Sequence, residues 1–144
     1  MTIAWSLSSV VIAAGIAVGS FVGTAASASA DTLEGTYTFN GGGITRTWNI
    51  TSCGNGCANV DAPSIPGSPG FSGVAKLGYG GWALSLAEFP GAIACPDGSS
   101  APGNITYRWD PSLNGTANIW STSGACGVSG TKTYPAYGFS LTKV

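Results

Sequence analysis

The fold class of this chain is indicated most clearly by residues 44–53, which read ITRTWNITSC. The even positions of this stretch are Ile44, Arg46, Trp48, Ile50 and Ser52, whereas threonine, asparagine and cysteine occupy the odd positions. Successive side chains of a β-strand point to opposite faces, so one face of this stretch is largely apolar and the other polar. The alternation predicts a strand that covers a core with one face.

The same period of two recurs further along the chain. Residues 82–87 (WALSLA) and 105–110 (ITYRWD) place a large side chain at every second position, and Tyr137, Phe139 and Leu141 predict a closing C-terminal strand. Weaker strand signals lie at residues 36–39, 58–61, 71–77 and 116–121.

Glycine and proline punctuate these runs, which favours many short strands over helices. The segments Asn40-Gly41-Gly42-Gly43 and Gly54-Asn55-Gly56 predict hairpin turns, since glycine and asparagine adopt positive φ. The proline-rich stretch 62–70 predicts an exposed loop, because proline cannot donate to a central ladder. The sequence therefore predicts an all-β fold, a small antiparallel meander that closes into a barrel or folds into a two-layer sandwich. It leaves the choice between barrel and sandwich open.

The first thirty residues predict a targeting segment. An apolar run from Val10 to Val22 is followed by small residues and two overlapping A-x-A patterns ending at Ala28 and Ala30. This arrangement is typical of a cleaved signal peptide, residues 1–30, which leaves a single secreted β-rich domain at residues 31–144 with no stable membrane insertion. The alternative is an uncleaved anchor, since the run from Ile3 approaches the length of a membrane span.

The four cysteines, Cys53, Cys57, Cys95 and Cys126, predict a disulfide framework in an exported domain of this size. Three pairings are possible. Cys53 and Cys57 flank a short glycine-containing turn, which favours pairing Cys53 with Cys57 and leaves Cys95 for Cys126. A zinc site is the alternative, but the spacing lacks the two short-spaced pairs that are usual for four-thiolate sites.

Composition restricts the chemistry available to this chain. It has five Lys and Arg against six Asp and Glu, without the basic clustering that nucleic-acid binding requires. It has no histidine, which excludes Ser-His-Asp and Cys-His catalysis, and we predict no metal and no cofactor. Paired carboxylates remain, with Asp97 and Asp110 as candidates and Glu88 as a third. Turn formation explains Asp97 and Asp110 better, because Asp97 precedes glycine and Asp110 precedes proline.

Aromatic side chains are the other resource, and we expect most of them to build the core. Trp120, Tyr134 and Tyr137 fit the alternation less well, so they are the candidate ligand-binding residues. An exposed aromatic patch would mark a partner or ligand surface.

Several segments together resemble a family of small secreted proteins of mycobacteria and related actinobacteria. The resemblance rests on the segments WNITSC (48–53), CPDG (95–98) and YRWDP (107–111), with Trp82 and the stretch LNGT (113–116). It implies export, a β-rich domain and paired cysteines, and it carries no catalytic residues. We therefore expect a secreted or cell-envelope non-enzymatic β-domain that binds a partner protein or a small apolar ligand. A small carboxylate-dependent hydrolase and a secreted protease inhibitor are the alternatives.

Overall fold

The computed structural model describes residues 32–144 except Ser123, and the predicted signal peptide lies outside the described residues. The described part is an eight-stranded antiparallel barrel in which every strand pairs with its neighbours in sequence. One short 3-10 turn, Ala125–Gly127, precedes the last strand. The strands are β1 (Gly35–Gly41), β2 (Ile44–Gly54), β3 (Cys57–Ala62), β4 (Phe71–Gly78), β5 (Gly81–Ala94), β6 (Ser100–Trp109), β7 (Asn114–Ser121) and β8 (Lys132–Lys143).

The last strand closes the sheet and so decides between barrel and sandwich. Ser140 of β8 pairs with Asn40 of β1 on one side and with Asn114 of β7 on the other. Because β8 is hydrogen-bonded along both edges, β1 and β7 are bridged and no sheet edge is left between them. The fold is a closed barrel, one of the two architectures that the sequence allowed.

Connections fall alternately at the two ends of the barrel. We call the end with the β2–β3, β4–β5 and β6–β7 turns the lower end. The upper end carries the β1–β2, β3–β4, β5–β6 and β7–β8 connections. Among the described residues, no helix is long and apolar enough to cross a membrane.

Aromatic rings fill the barrel interior. Trp48 is fully buried and lies at their centre, with Phe39 stacked on it at 4.9 Å between ring centroids. The alternation predicted this burial, since Trp48 and Ile50 are among the residues with least exposure. The other rings within 6.0 Å of Trp48 are those of Phe71, Tyr107, Trp109 and Phe139.

Arg46 also points into the barrel and is 5% exposed. Its guanidinium donates hydrogen bonds of 2.8 Å to the carbonyl oxygens of Pro63 and Pro69, and it lies 5.2 Å from the centre of the Phe71 ring. Burial lowers the pKa of Arg46. The proline-rich loop is thus largely exposed, as predicted, but a buried cation ties it to the upper end of the barrel.

Both predicted disulfides are present, Cys53–Cys57 and Cys95–Cys126. The first closes the β2–β3 hairpin at the lower end. The second links the β5–β6 turn to the short helical turn before β8, at the upper end. Among the residues that the structure describes, no cysteine is free, so the framework predicted from the sequence is confirmed.

Candidate functional site

The three predicted ligand-binding aromatics do not form one surface. Trp120 alternates with the buried Ile119 along β7, so its half-buried ring lies on the outside of the barrel. Tyr134 and Tyr137 pair with the inward-facing Ile119 and Ala117, so both face the interior. A register shift between Ala117 and Ile119 adds one residue to β8. This bulge lets two tyrosines three positions apart share a face.

Tyr137 takes part in a buried polar contact. Its side chain interacts with that of Tyr107, which is 4% exposed. Burial is the main cause that raises the pKa of Tyr107, and the contact with Tyr137 adds to the effect. The hydroxyl of Tyr134 is buried without a hydrogen-bond partner among the described residues. The two tyrosines therefore belong to the packed interior, at its upper part.

The candidate carboxylates are also far apart. Asp97 lies in the β5–β6 turn and Asp110 in the β6–β7 turn, at opposite ends of the 10-residue strand β6. Such a strand is roughly 33 Å long, whereas the carboxylate pairs of glycoside hydrolases lie within about 10 Å of each other. Glu88 lies exposed at a register shift within β5. The geometry does not assemble the carboxylate pair that a hydrolase would need.

A surface cleft at the lower end is the best-formed candidate site. Its volume is about 320 Å³, and it lies between the β4–β5 turn and the start of β7. Small-ligand sites have volumes of about 300–1,000 Å³, so this cleft is at the small end of the range. We call it the lower cleft. Its main lining residues are Tyr79, Gly81, Arg108, Asp110, Asn114, Gly115, Thr116 and Asn118.

Tyr79 forms the aromatic wall of the lower cleft and is fully exposed at the tip of the β4–β5 turn. Beside it, glycine residues form the bottom of the cleft without side chains. A Cβ at Gly81, where φ is +146°, would lie 2.1 Å from the carbonyl oxygen of Trp109. A Cβ at Gly115 would lie 2.3 Å from the carbonyl oxygen of Arg108. Contacts this short exclude side chains, so glycine is required at both positions and the backbone itself forms the floor.

Asp110 is the fixed acceptor of the lower cleft. Its Oδ1 accepts hydrogen bonds from the hydroxyl and N–H of Ser112 and, at 3.3 Å, from the N–H of Asn114. The Ser112 hydroxyl is the main cause that lowers the pKa of Asp110. The carboxylate is therefore charged and held in one orientation, while Oδ2 accepts no hydrogen bond from another described residue. The turn predicted at Asp110 is thus part of the site.

Three donors that line the lower cleft, Arg108, Thr116 and Asn118, make no side-chain hydrogen bond to another described residue. Arg108 is exposed and, within the described part of the chain, forms neither a hydrogen bond nor an ion pair. Thr116 lies opposite it on β7, and Asn118 follows on the same outer face. The side chains of Thr116 and Asn118 likewise make no hydrogen bond to a described residue. A cation, an amide and a hydroxyl thus remain available beside the exposed ring.

Sequence reasoning missed this site because each of its parts had another explanation. Tyr79 is of a residue type that we expect in the core, and Arg108 is one of five Lys and Arg residues without basic clustering. The alternation contained a usable signal, because Arg108 lies on the polar face of a strand that ends at Asp110. The sequence did not indicate that the Tyr79 turn lies beside that strand end, since this depends on the β5–β6 register, in which Trp82 pairs with Trp109.

A second depression, about 470 Å³, lies on the outer face of β2, β3 and β4. Its lining consists of short side chains, including Thr51, Ser72 and Val74, and contains no aromatic ring. Its one carboxylate, Asp61, accepts a 2.6 Å hydrogen bond from Ser72. This face lacks an anchor for a ligand and is a useful control surface.

The described residues contain no cluster of three or more His, Cys, Asp or Glu side chains that could hold a metal ion. Comparison with protein-family models, curated proteins and solved structures finds no match to this chain. The resemblance to small secreted actinobacterial proteins therefore stays a prediction.

Proposed function

We propose that this protein is a non-enzymatic binding protein that acts outside the cytoplasm, and that the lower cleft holds its ligand. The two disulfides are compatible with an oxidising compartment. The observation that carries the proposal is the fully exposed Tyr79 beside unengaged polar groups in a cleft with a glycine floor. An aromatic side chain beside a few convergent polar groups is the usual composition of a small-ligand site.

The packed interior argues that the ligand binds on the surface. A small apolar ligand, as predicted from the sequence, would need an open space inside the barrel. The rings of Phe39, Phe71, Tyr107 and Phe139 occupy the space around Trp48. The lower cleft, by contrast, is open and lined by hydrogen-bonding groups.

The chemistry of the lower cleft favours a hydroxyl-rich ligand of the sugar class. Each hydroxyl of a sugar both donates and accepts, and Asp110 offers a fixed acceptor while Arg108 offers donors. Asn118 supplies both functions in one amide. The ring of Tyr79 gives the C–H face of a sugar an apolar surface to lie on. Opposite charges at Arg108 and Asp110 favour a neutral ligand over an anion or a cation.

Chemical shift mapping tests this proposal. The purified protein with both disulfides formed is titrated with neutral mono- and oligosaccharides while backbone amide signals are recorded. We expect saturable shifts confined to residues 79–82 and 108–118, and we expect Tyr79→Ala to weaken binding about tenfold or more. Val74→Ala, at the half-exposed residue of the control surface, should leave affinity unchanged.

Shifts in the cleft that Tyr79→Ala does not weaken would contradict the proposed role of the ring. The absence of saturable shifts with every saccharide at millimolar concentration would overturn the assignment of the ligand class. In that case a partner protein becomes the better explanation, since exposed tyrosine and arginine are also typical of protein interfaces. The protease-inhibitor alternative stays a prediction.

A further inference from the structure

We propose that the Cys53–Cys57 disulfide is a thiol–disulfide exchange site, in which an external thiolate attacks Cys53 and Lys76 stabilises the departing Cys57 thiolate. This inference is independent of ligand binding in the lower cleft. It rests on the exposure of the bridge, on its neighbouring cation and on the small part it plays in holding the barrel together.

The two disulfides differ in accessibility. Cys53 is exposed and Cys57 half-buried, at the tip of the β2–β3 hairpin. In the other bridge, Cys95 is 9% exposed and Cys126 is half-buried against the core. An incoming thiolate must approach a sulfur atom directly, so the hairpin bridge is the more open target.

A bulge presents Cys53 at this tip. In the β2–β3 ladder Ser52 pairs with Ala58 and Gly54 pairs with Cys57, so Cys53 is the extra residue without a register partner. A bulged residue is released from the regular ladder, and bulges often re-aim side chains at functional sites. Cys53 is therefore the sulfur that the fold offers to solvent.

Lys76 makes the two sulfur atoms of the bridge differ in reactivity. It is the register partner of Cys57 on β4, and its ammonium nitrogen lies 3.4 Å from the Cys57 sulfur. A nearby ammonium group favours a thiolate over a thiol, and a stabilised thiolate leaves faster in exchange. Attack is therefore directed to Cys53, because that choice releases the negative charge beside Lys76.

Two successive thiolate attacks open the bridge. The attacking thiolate forms a bond to the Cys53 sulfur, the Cys53–Cys57 bond breaks, and its electron pair remains on Cys57. A second thiolate then attacks the external sulfur of the mixed disulfide and releases the Cys53 thiolate. Two thiols have become one external disulfide, and the protein has gained two electrons and two protons. An external disulfide reverses the sequence.

The barrel tolerates an open form of this bridge. Backbone pairing already joins β2 and β3, from the pair Asn49 and Asp61 to the pair Ser52 and Ala58. The disulfide adds only a cross-link between two residues that are 4 positions apart in the chain. Cys95–Cys126 instead joins connections 31 residues apart. Short closures constrain the unfolded chain less, so the hairpin bridge can cycle while the long bridge holds the fold.

Timed reduction tests the proposal. The native protein is exposed to glutathione or to an unfolded cysteine-containing peptide, quenched in acid and analysed by tandem mass spectrometry. With either thiol we expect the hairpin bridge to open at least about tenfold faster than Cys95–Cys126, and mixed disulfides to form on Cys53. A faster peptide reaction would identify protein thiols as the natural partner, and a faster glutathione reaction would identify small thiols.

Lys76 variants separate the proposed role from a structural one. Lys76→Gln should slow opening about threefold and shift adduct formation toward an equal distribution between the two sulfurs, whereas Lys76→Arg should retain both properties. Circular dichroism and the rate at Cys95–Cys126 should stay unchanged in both variants. Equal reactivity of the two bridges, or adducts on Cys57 in the native protein, would overturn the proposal.

Discussion

Keeping one disulfide at a time, and then reducing it, measures how much each bridge stabilises the barrel. One variant, Cys53→Ala/Cys57→Ala, keeps the Cys95–Cys126 bridge, and the other, Cys95→Ala/Cys126→Ala, keeps the hairpin bridge. Each is unfolded with urea in the presence and absence of a reductant. The difference in unfolding free energy between the two conditions is the contribution of the cross-link alone. The oxidised and reduced forms of each variant otherwise differ only by two thiol protons.

The expected magnitudes follow from the sequence separations of 31 and 4. Loop-closure entropy gives about 3.7 kcal/mol for the long bridge and about 2 kcal/mol for the hairpin bridge. For a domain of this size, each kcal/mol corresponds to about 4 °C in Tm, so reduction should lower Tm by about 15 °C and about 8 °C respectively. Reducing the long bridge should also raise the urea m-value more, because the unfolded chain then expands further.

An equal or larger loss on reducing the hairpin bridge would refute this reasoning. It would mean that the short bridge stabilises the folded barrel directly. The proposed exchange site would then lose one of its supports, since opening that bridge would no longer leave the fold intact.

Three further outcomes are expected. Trp48→Ala removes the ring at the centre of the interior cluster and should cost about 3–5 kcal/mol of unfolding free energy in urea, and a loss below about 1 kcal/mol would contradict the packing described. Gly115→Ala places a Cβ 2.3 Å from a backbone carbonyl oxygen and should destabilise the barrel by more than about 2 kcal/mol, whereas Gly78→Ala, with nothing within 4 Å, should change stability by less than about 0.5 kcal/mol. The pKa of Asp110 is lowered, mainly by Ser112, so this carboxylate favours the folded state above its unfolded pKa of about 3.9 and the contribution is lost as pH falls through the lower folded pKa. NMR titration of Ser112→Ala should move the Asp110 midpoint back toward its ordinary value, and an unchanged midpoint would show that another group causes the shift.

The local pattern of the strands was predictable because each strand covers a core with one face. Residues 44–53 carry a strict alternation, and β2 spans Ile44–Gly54. Two longer strands were recognised only in part. In β5 the alternation ends at Glu88, where φ is 49°, yet the strand continues through register shifts to Ala94. In β8 a bulge places Tyr137 in register with Ala117 and interrupts the period of two. The alternation therefore does not reveal that the strand begins at Lys132. A bulge changes the period of two without ending the strand.

The candidate site was less predictable than the strands. Trp120, Tyr134 and Tyr137 were chosen because they interrupt the alternation, but such an interruption marks a bulge as readily as a ligand surface. The lower cleft joins Tyr79, just before β5, to Asp110, just after β6, although 30 residues separate them in the chain. Their proximity follows from the β5–β6 register, in which Trp82 pairs with Trp109, and no local pattern encodes that register.

The sequence by itself determined the strand content, the hairpin turns and the Cys53–Cys57 pairing, because each of these depends on residues close together in the chain. The Cys95–Cys126 pairing then followed by elimination. The tertiary structure decided that the sheet closes, that Arg46 is buried under the proline-rich loop, and that Lys76 lies against Cys57. These features depend on register between strands. Register is fixed by the packing of the whole interior, and so it becomes visible when all eight strands are in place.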